Sequence, residues 1–214
     1  MHAAFPHISD ELQKFIKNSA ASQANLLSNI EGRLLAELLA QLLSKGFAYI
    51  FRPSLLDPHQ EQTKRSAQLF EENFVIVDPD GPRYYRGQFL IRTKKQGDEM
   101  NLWFRFCPKP QKLYQNGLFG LSHHKRLDPW AVVEAKTFSD ADADLLEQDP
   151  DKVDLVIRFK DSAAILGLVS RGNADMVGLL LENVVQLSGN VGHLFKLGAI
   201  AKALETAMRS PDPE

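Results

Sequence analysis

Leu26, Leu27, Ile30, Leu34, Leu35, Leu38, Leu39, Leu42 and Leu43 recur at steps of three and four, with Glu31, Arg33, Glu37 and Gln41 between them. That is the period of an amphipathic helix, and it predicts one long helix over residues 22–45. Gly46 follows Lys45 at its end, combining a glycine stop with a cation at the negative end of the helix dipole. Residues 9–18, with Ser9 as cap, predict a shorter helix before it, and residues 60–72 predict another after the breaks at Pro53 and Pro58. The leucine stripe suits either the chain's own sheet or the equivalent helix of a partner. The first is the usual role of such a stripe.

From Phe74 the period changes to two. Phe74 to Val77 is a short apolar strand, and Asp78-Pro-Asp-Gly-Pro is a turn by composition. In the next strand, Tyr84 to Thr93, Tyr85, Phe89 and Ile91 share a face with Gly87, while Arg86, Gln88 and Arg92 point the other way. After the turn Lys94 to Glu99, Leu102, Phe104 and Phe106 alternate with Trp103, Arg105 and Cys107. Three strands joined by short turns imply an antiparallel meander.

Residues 108–150 read as an irregular insert, divided by Pro108, Pro110, Pro129 and Pro150, in which the run from Pro129 to Ala135 is expected to form an added strand or helix. Order returns at Val153, where Val153, Leu155, Ile157 and Phe159 alternate with Asp154, Arg158 and Lys160. Asp161 or Ser162 can cap a helix over 163–170, which stops at Gly172. A short helix over 174–182, a strand over 184–187, a turn at Ser188-Gly-Asn and a final helix over 191–208 complete the chain. This order is α+β: an antiparallel-rich mixed sheet of about five strands covered by helices.

The order of residue types in Asp154-Leu-Val-Ile-Arg-Phe-Lys-Asp, Leu168-Val-Ser-Arg-Gly172 and Glu182-Asn-Val-Val-Gln-Leu-Ser-Gly-Asn190, running into Phe195-Lys-Leu, resembles the C-terminal half of sterol-carrier-protein-2-like domains. The likeness is close over Val153 to Met208 and loose over residues 74–106. It implies a sheet and helices enclosing an apolar tunnel for lipid, with the last helix helping to close it. The family also includes domains attached to enzymes, and bacterial accessory proteins of isoprenoid-quinone assembly that bind lipid intermediates without performing the chemistry. On this reading residues 1–50 are a helical extension and residues 51–214 the lipid-binding domain.

The resemblance implies a sterol-, fatty acyl- or isoprenoid-like lipid as ligand, whose tail would supply most of the affinity at about 0.8 kcal/mol per buried methylene. Leu194, Leu197, Ile200, Ala201 and Leu204 form a stripe along the final helix, opposed by Met176, Leu179, Leu180, Val185 and Leu187. Taken singly, each is better explained as core. Gly167, Gly178, Gly192 and Gly198 stand inside predicted helices, where glycine costs about 0.8–1.0 kcal/mol against alanine. Close helix–sheet packing is the simpler account of them, and room for a ligand the other.

Composition narrows the function classes. A formal net charge of −2 argues against a phosphate-neutralising nucleic-acid binder. One cysteine, Cys107, excludes an internal disulfide and suits the cytoplasm. The N-terminus lacks the basic and apolar regions of a secretory signal, and no run of about 18 uncharged apolar residues exists to span a membrane. His123, His124 and Asp128 are the one compact donor cluster, but Lys125 and Arg126 would repel a cation, so no metal and no cofactor is expected. No hydrolase elbow, phosphate loop, dinucleotide fingerprint or zinc-protease motif occurs, which points away from an enzyme. Cys107 and His193 read as structural or surface residues, with contact to a polar head group the alternative for His193, which follows Gly189-Asn-Val-Gly. Lys109, Lys112, His123, His124, Lys125 and Arg126 allow transient contact with an anionic membrane surface, though a solvated face explains them equally. The alternative function is an accessory module that docks on a protein partner, or on a second copy, through helix 22–45.

Overall fold

Helix and strand periods are both realised in the structure, a computed structural model that describes residues 32–51, 61–115, 126–171 and 184–208. The elements are α1 (Gly32–Ile50), α2 (Glu61–Phe74), β1 (Val75–Asp78), β2 (Gly81–Tyr84), β3 (Gln88–Thr93), β4 (Asn101–Phe106), β5 (Tyr114–Gln115), β6 (Arg126–Leu127), β7 (Val133–Thr137), α3 (Asp140–Glu147), β8 (Leu155–Phe159), α4 (Ser162–Arg171), β9 (Val185–Gly189) and α5 (Gly192–Met208). The main sheet has five strands in the order β7-β4-β3-β8-β9. Only β3 and β8 run parallel; the other three pairs are antiparallel. The α+β class with a mixed, antiparallel-rich sheet is therefore realised.

The register sorts the side chains. Phe89 lies opposite Phe104 and Leu155, Ile91 opposite Leu102 and Ile157, and Phe159 opposite Val185, so all of these share one face. The Phe89 and Phe104 rings stack at 4.8 Å, and Phe106 meets both edge-on. Phe47 of α1, Phe51 just past its end, and Phe70 and Phe74 of α2 extend this aromatic core. The opposite face carries the smaller cluster Leu90, Trp103 and Val156, packed by Phe138, Leu146 and Val153. There Arg92 holds Asp144 at 2.7 Å and Glu147 at 3.0 Å, and Arg158 pairs with Glu147, which ties α3 to the sheet.

Three local expectations change. The strand expected over 84–93 divides into β2 and β3, and β1 pairs with β2 in a separate hairpin, so there is no meander of the three predicted strands. Residues 85–87 leave the strand because Tyr85 turns into the core and its amide donates to Phe74 O at 2.8 Å. Helix α1 runs past Gly46 to Ile50, since Phe47, Ala48 and Phe51 are buried and their packing outweighs the glycine stop. The insert is more regular than expected: a 3-10 turn over Pro129–Ala131 leads into β7, which forms one edge of the main sheet. The predicted helices over 9–18 and 174–182, and the start of the long one, lie outside the described residues.

The leucine stripe splits. Leu35 is buried and Leu39 and Leu43 are half-buried under the sheet, whereas Leu34, Leu38 and Leu42 are 49%, 37% and 37% exposed. The apolar arc of α1 is wider than the surface the sheet covers.

Candidate functional site

The wall expected to hold a ligand is built by β9 and α5 at the edge of the sheet opposite β7. Gly189 ends β9 at φ +107°, and a Cβ there would stand 2.3 Å from Asp154 O, so only glycine allows this approach to β8. Asn190 then donates its amide to Asp154 O at 2.8 Å and accepts from Gly192 N at 2.9 Å, which turns the chain into α5.

Of the predicted lining residues, Val185, Ile200 and Leu204 are buried, while Leu187, Leu194 and Leu197 are half-buried against the main core. Six of the nine therefore belong to one apolar layer. Met176, Leu179 and Leu180, the rest of the opposing wall, lie outside the described residues, as does Gly178. Phe195 is 75% exposed, so α5 also presents an aromatic ring outward. Among the described residues, nothing lies within 4 Å of where a Cβ would stand on Gly198.

At the N-terminal end of α5 the seam acquires a polar end. Tyr85 Oη lies 2.8 Å from His193 Nδ1, with the rings stacked at 5.7 Å. Phe89 meets the imidazole edge-on, Phe106 packs beside Tyr85, and Lys196 Nζ stands 5.8 Å from the Tyr85 ring centroid. Burial, and then the charge of Asp154, push the Tyr85 phenol well above its ordinary pKa. A phenol that keeps its proton can donate it to Nδ1, which leaves the imidazole hydrogen on Nε2. His193 was visible as a histidine at a helix start, but no local signal joins it to Tyr85, 108 residues away.

The other chemical candidates resolve simply. Cys107 is fully buried at φ +43°, and burial pushes its thiol up to about 12, with the Arg86 charge acting the other way, so it is no ready nucleophile. His123 and His124 lie outside the described residues, and Asp128 caps the 3-10 turn by accepting from Trp130 N at 3.0 Å. Among the described residues no group of His, Cys, Asp or Glu is placed to hold a metal, and no helix is long and apolar enough to cross a membrane. Glu134 is desolvated, which raises its pKa, but hydrogen bonds from Lys136 and Arg105 outweigh that and hold it below the usual carboxylate range.

Fold and site together define an α+β protein whose five-stranded mixed sheet ends in an apolar seam with a tyrosine–histidine pair at one end. No family model matches the chain and no curated protein matches it. Among solved structures the chain is similar to Sterol Carrier Protein 2 from Yarrowia lipolytica in its apo form, with 13% identity and a TM-score of 0.39 over 85% of this chain and 98% of that one.

Proposed function

We propose that the protein binds and presents an amphipathic lipid, with no catalysis of its own. The observation that carries this is the juxtaposition on α5 of half-buried Leu194 and Leu197 with the Tyr85–His193 pair one residue before them. The tail lies along Leu187, Leu194 and Leu197 towards Leu204. A tail of sterol, acyl or isoprenoid type gains about 0.8 kcal/mol per buried methylene. The polar end meets Tyr85 Oη, His193 Nε2 and Lys196. The single buried cysteine suits a cytoplasmic setting.

Extraction and mass spectrometry of gently purified protein, with displacement of a fluorescent fatty acyl probe, tests this reading. Co-purified lipid and saturable displacement are expected, and Leu197→Asp lowers probe affinity while far-ultraviolet circular dichroism is kept. Neither ligand nor displacement would end the proposal.

The exposed row Leu34, Leu38 and Leu42 favours a second role, docking of α1 on a protein partner or a second copy. Residues four apart form the ridge that commonly packs between helices, at about −50°. Sedimentation of the full chain and of Leu38→Asp across a concentration series separates the cases. Self-association abolished by the substitution supports a second copy, and one unchanged monomer for both argues against it.

A further inference from the structure

We propose that the cleft between the C-terminal half of α1 and the β7 edge is a separate binding site for a small planar aromatic anion. Its volume is 380 Å³, inside the range of about 300–1,000 Å³ typical of small-ligand sites. Trp130 stands at its side, 66% exposed, on a 3-10 turn fixed by the Asp128 cap. An exposed indole offers a ring face on which a flat ligand can stack. Pro108, Ala131, Val133 and Ala135 line the cleft with short apolar side chains that leave room for a flat ring.

Charge sets the sign of the ligand. Lys109 and Lys112 both line the cleft, both are exposed, and neither has an acidic partner among the described residues. Of the two carboxylates in the lining, Glu134 is balanced by Arg105 at 2.8 Å and Lys136 at 2.7 Å, while Asp128 keeps its charge as the cap of the Trp130 amide, so it offsets one of the two lysines. The charge left for a ligand is positive, and a carboxylate, sulfonate or phosphate on the ring would answer it. The site is also distinct from the apolar seam. β7 and β9 are the two edges of the sheet, four strand spacings or about 19 Å apart.

The chain has two tryptophans, which makes the test direct. Trp103 is buried and Trp130 is not, so their indole N–H signals, assigned by Trp130→Phe, report separately in a proton–nitrogen spectrum. With 2-naphthoate as probe, the Trp130 signal shifts saturably and the Trp103 signal stays. Lys109→Ala with Lys112→Ala weakens binding about tenfold, and so does replacing the probe with neutral 2-methoxynaphthalene. A saturating fatty acyl probe leaves the titration unchanged. An unmoved Trp130 signal, equal affinity for the neutral ring, or competition by the acyl probe would each overturn the proposal.

Discussion

Tyr85 Oη and His193 Nδ1, 2.8 Å apart, join the end of the β1–β2 hairpin to the first turn of α5. The bond spans 108 residues of sequence and sits where the aromatic core meets solvent. A partly buried hydrogen bond of this kind contributes about 0.5–1.5 kcal/mol net. Tyr85→Phe keeps the ring contacts with Phe106 and removes only the hydroxyl, so it is expected to lower the free energy of unfolding by about 1 kcal/mol in urea titrations. An unchanged midpoint would show that water satisfies the pair equally well.

Gly87 is the space that lets this pair form. A Cβ there would stand 2.3 Å from Tyr85 Oη and 2.9 Å from His193 Nδ1, inside any permitted contact. Gly87→Ala must therefore push the phenol or the imidazole aside, at about 1–3 kcal/mol. The cost should shrink in a Tyr85→Leu background, because shortening the side chain frees the volume that alanine needs. Equal costs in the two backgrounds would place the strain in the backbone instead.

The two periods of the sequence carried most of the architecture. The alternation over Leu102 to Phe106 and Leu155 to Phe159 appears in the register residue by residue, and the Pro129 to Ala135 segment, expected to form a strand or helix, becomes a 3-10 turn and the start of β7. What was not legible is non-local. Nothing near Gly46 announces that Phe47 and Phe51 will pack on Phe74 and Phe106, so the local stop signal was read as decisive. The split at residues 85–87 has the same origin, since Tyr85 leaves the strand for partners on α2 and α5. The apolar half of the site could be read from the spacing of Leu194, Leu197 and Leu204. Its polar half could not, because a hydrogen bond between distant residues has no period.

Gly189 is constrained twice. Its φ of +107° lies where L-residues are strained, and its Cβ position is already filled by Asp154 O at 2.3 Å. Gly189→Ala is expected to cost about 1–3 kcal/mol or more and to loosen the β8–β9 pairing it terminates. Amide exchange at Asn190, whose N–H donates to Asp154 O, reads the effect locally. Faster exchange there, with β3–β4 amides unaltered, is the expected pattern. Uniform loss across the sheet would mean that the turn is part of the global folding unit.

Cys107 gives a pH dependence with a defined sign. Burial lifts its thiol from 9.0 to about 12 in the fold, while the unfolded chain keeps the ordinary value. Below pH 9 both states hold the proton, and the stabilising contribution is complete. Above it the unfolded chain ionises first, so stability falls as pH rises, until the folded thiol titrates near pH 12. One proton corresponds to about 1.4 kcal/mol per pH unit, so the loss specific to Cys107 between pH 8 and pH 10 is on the order of 1 kcal/mol. Tyr114, raised by burial from 10.0 to about 12, adds a similar loss only above pH 10, which leaves the lower window to the thiol. Denaturation of the wild type and of Cys107→Ala at both pH values isolates it, since the Cys107 charge is the smallest of the causes that raise Tyr114. The wild type should lose about 1 kcal/mol more than the variant, and its thiol should react with a disulfide reagent at pH 8 only after denaturant is added. Parallel losses, or rapid reaction in the folded protein, would mean that the thiol is open to solvent in solution.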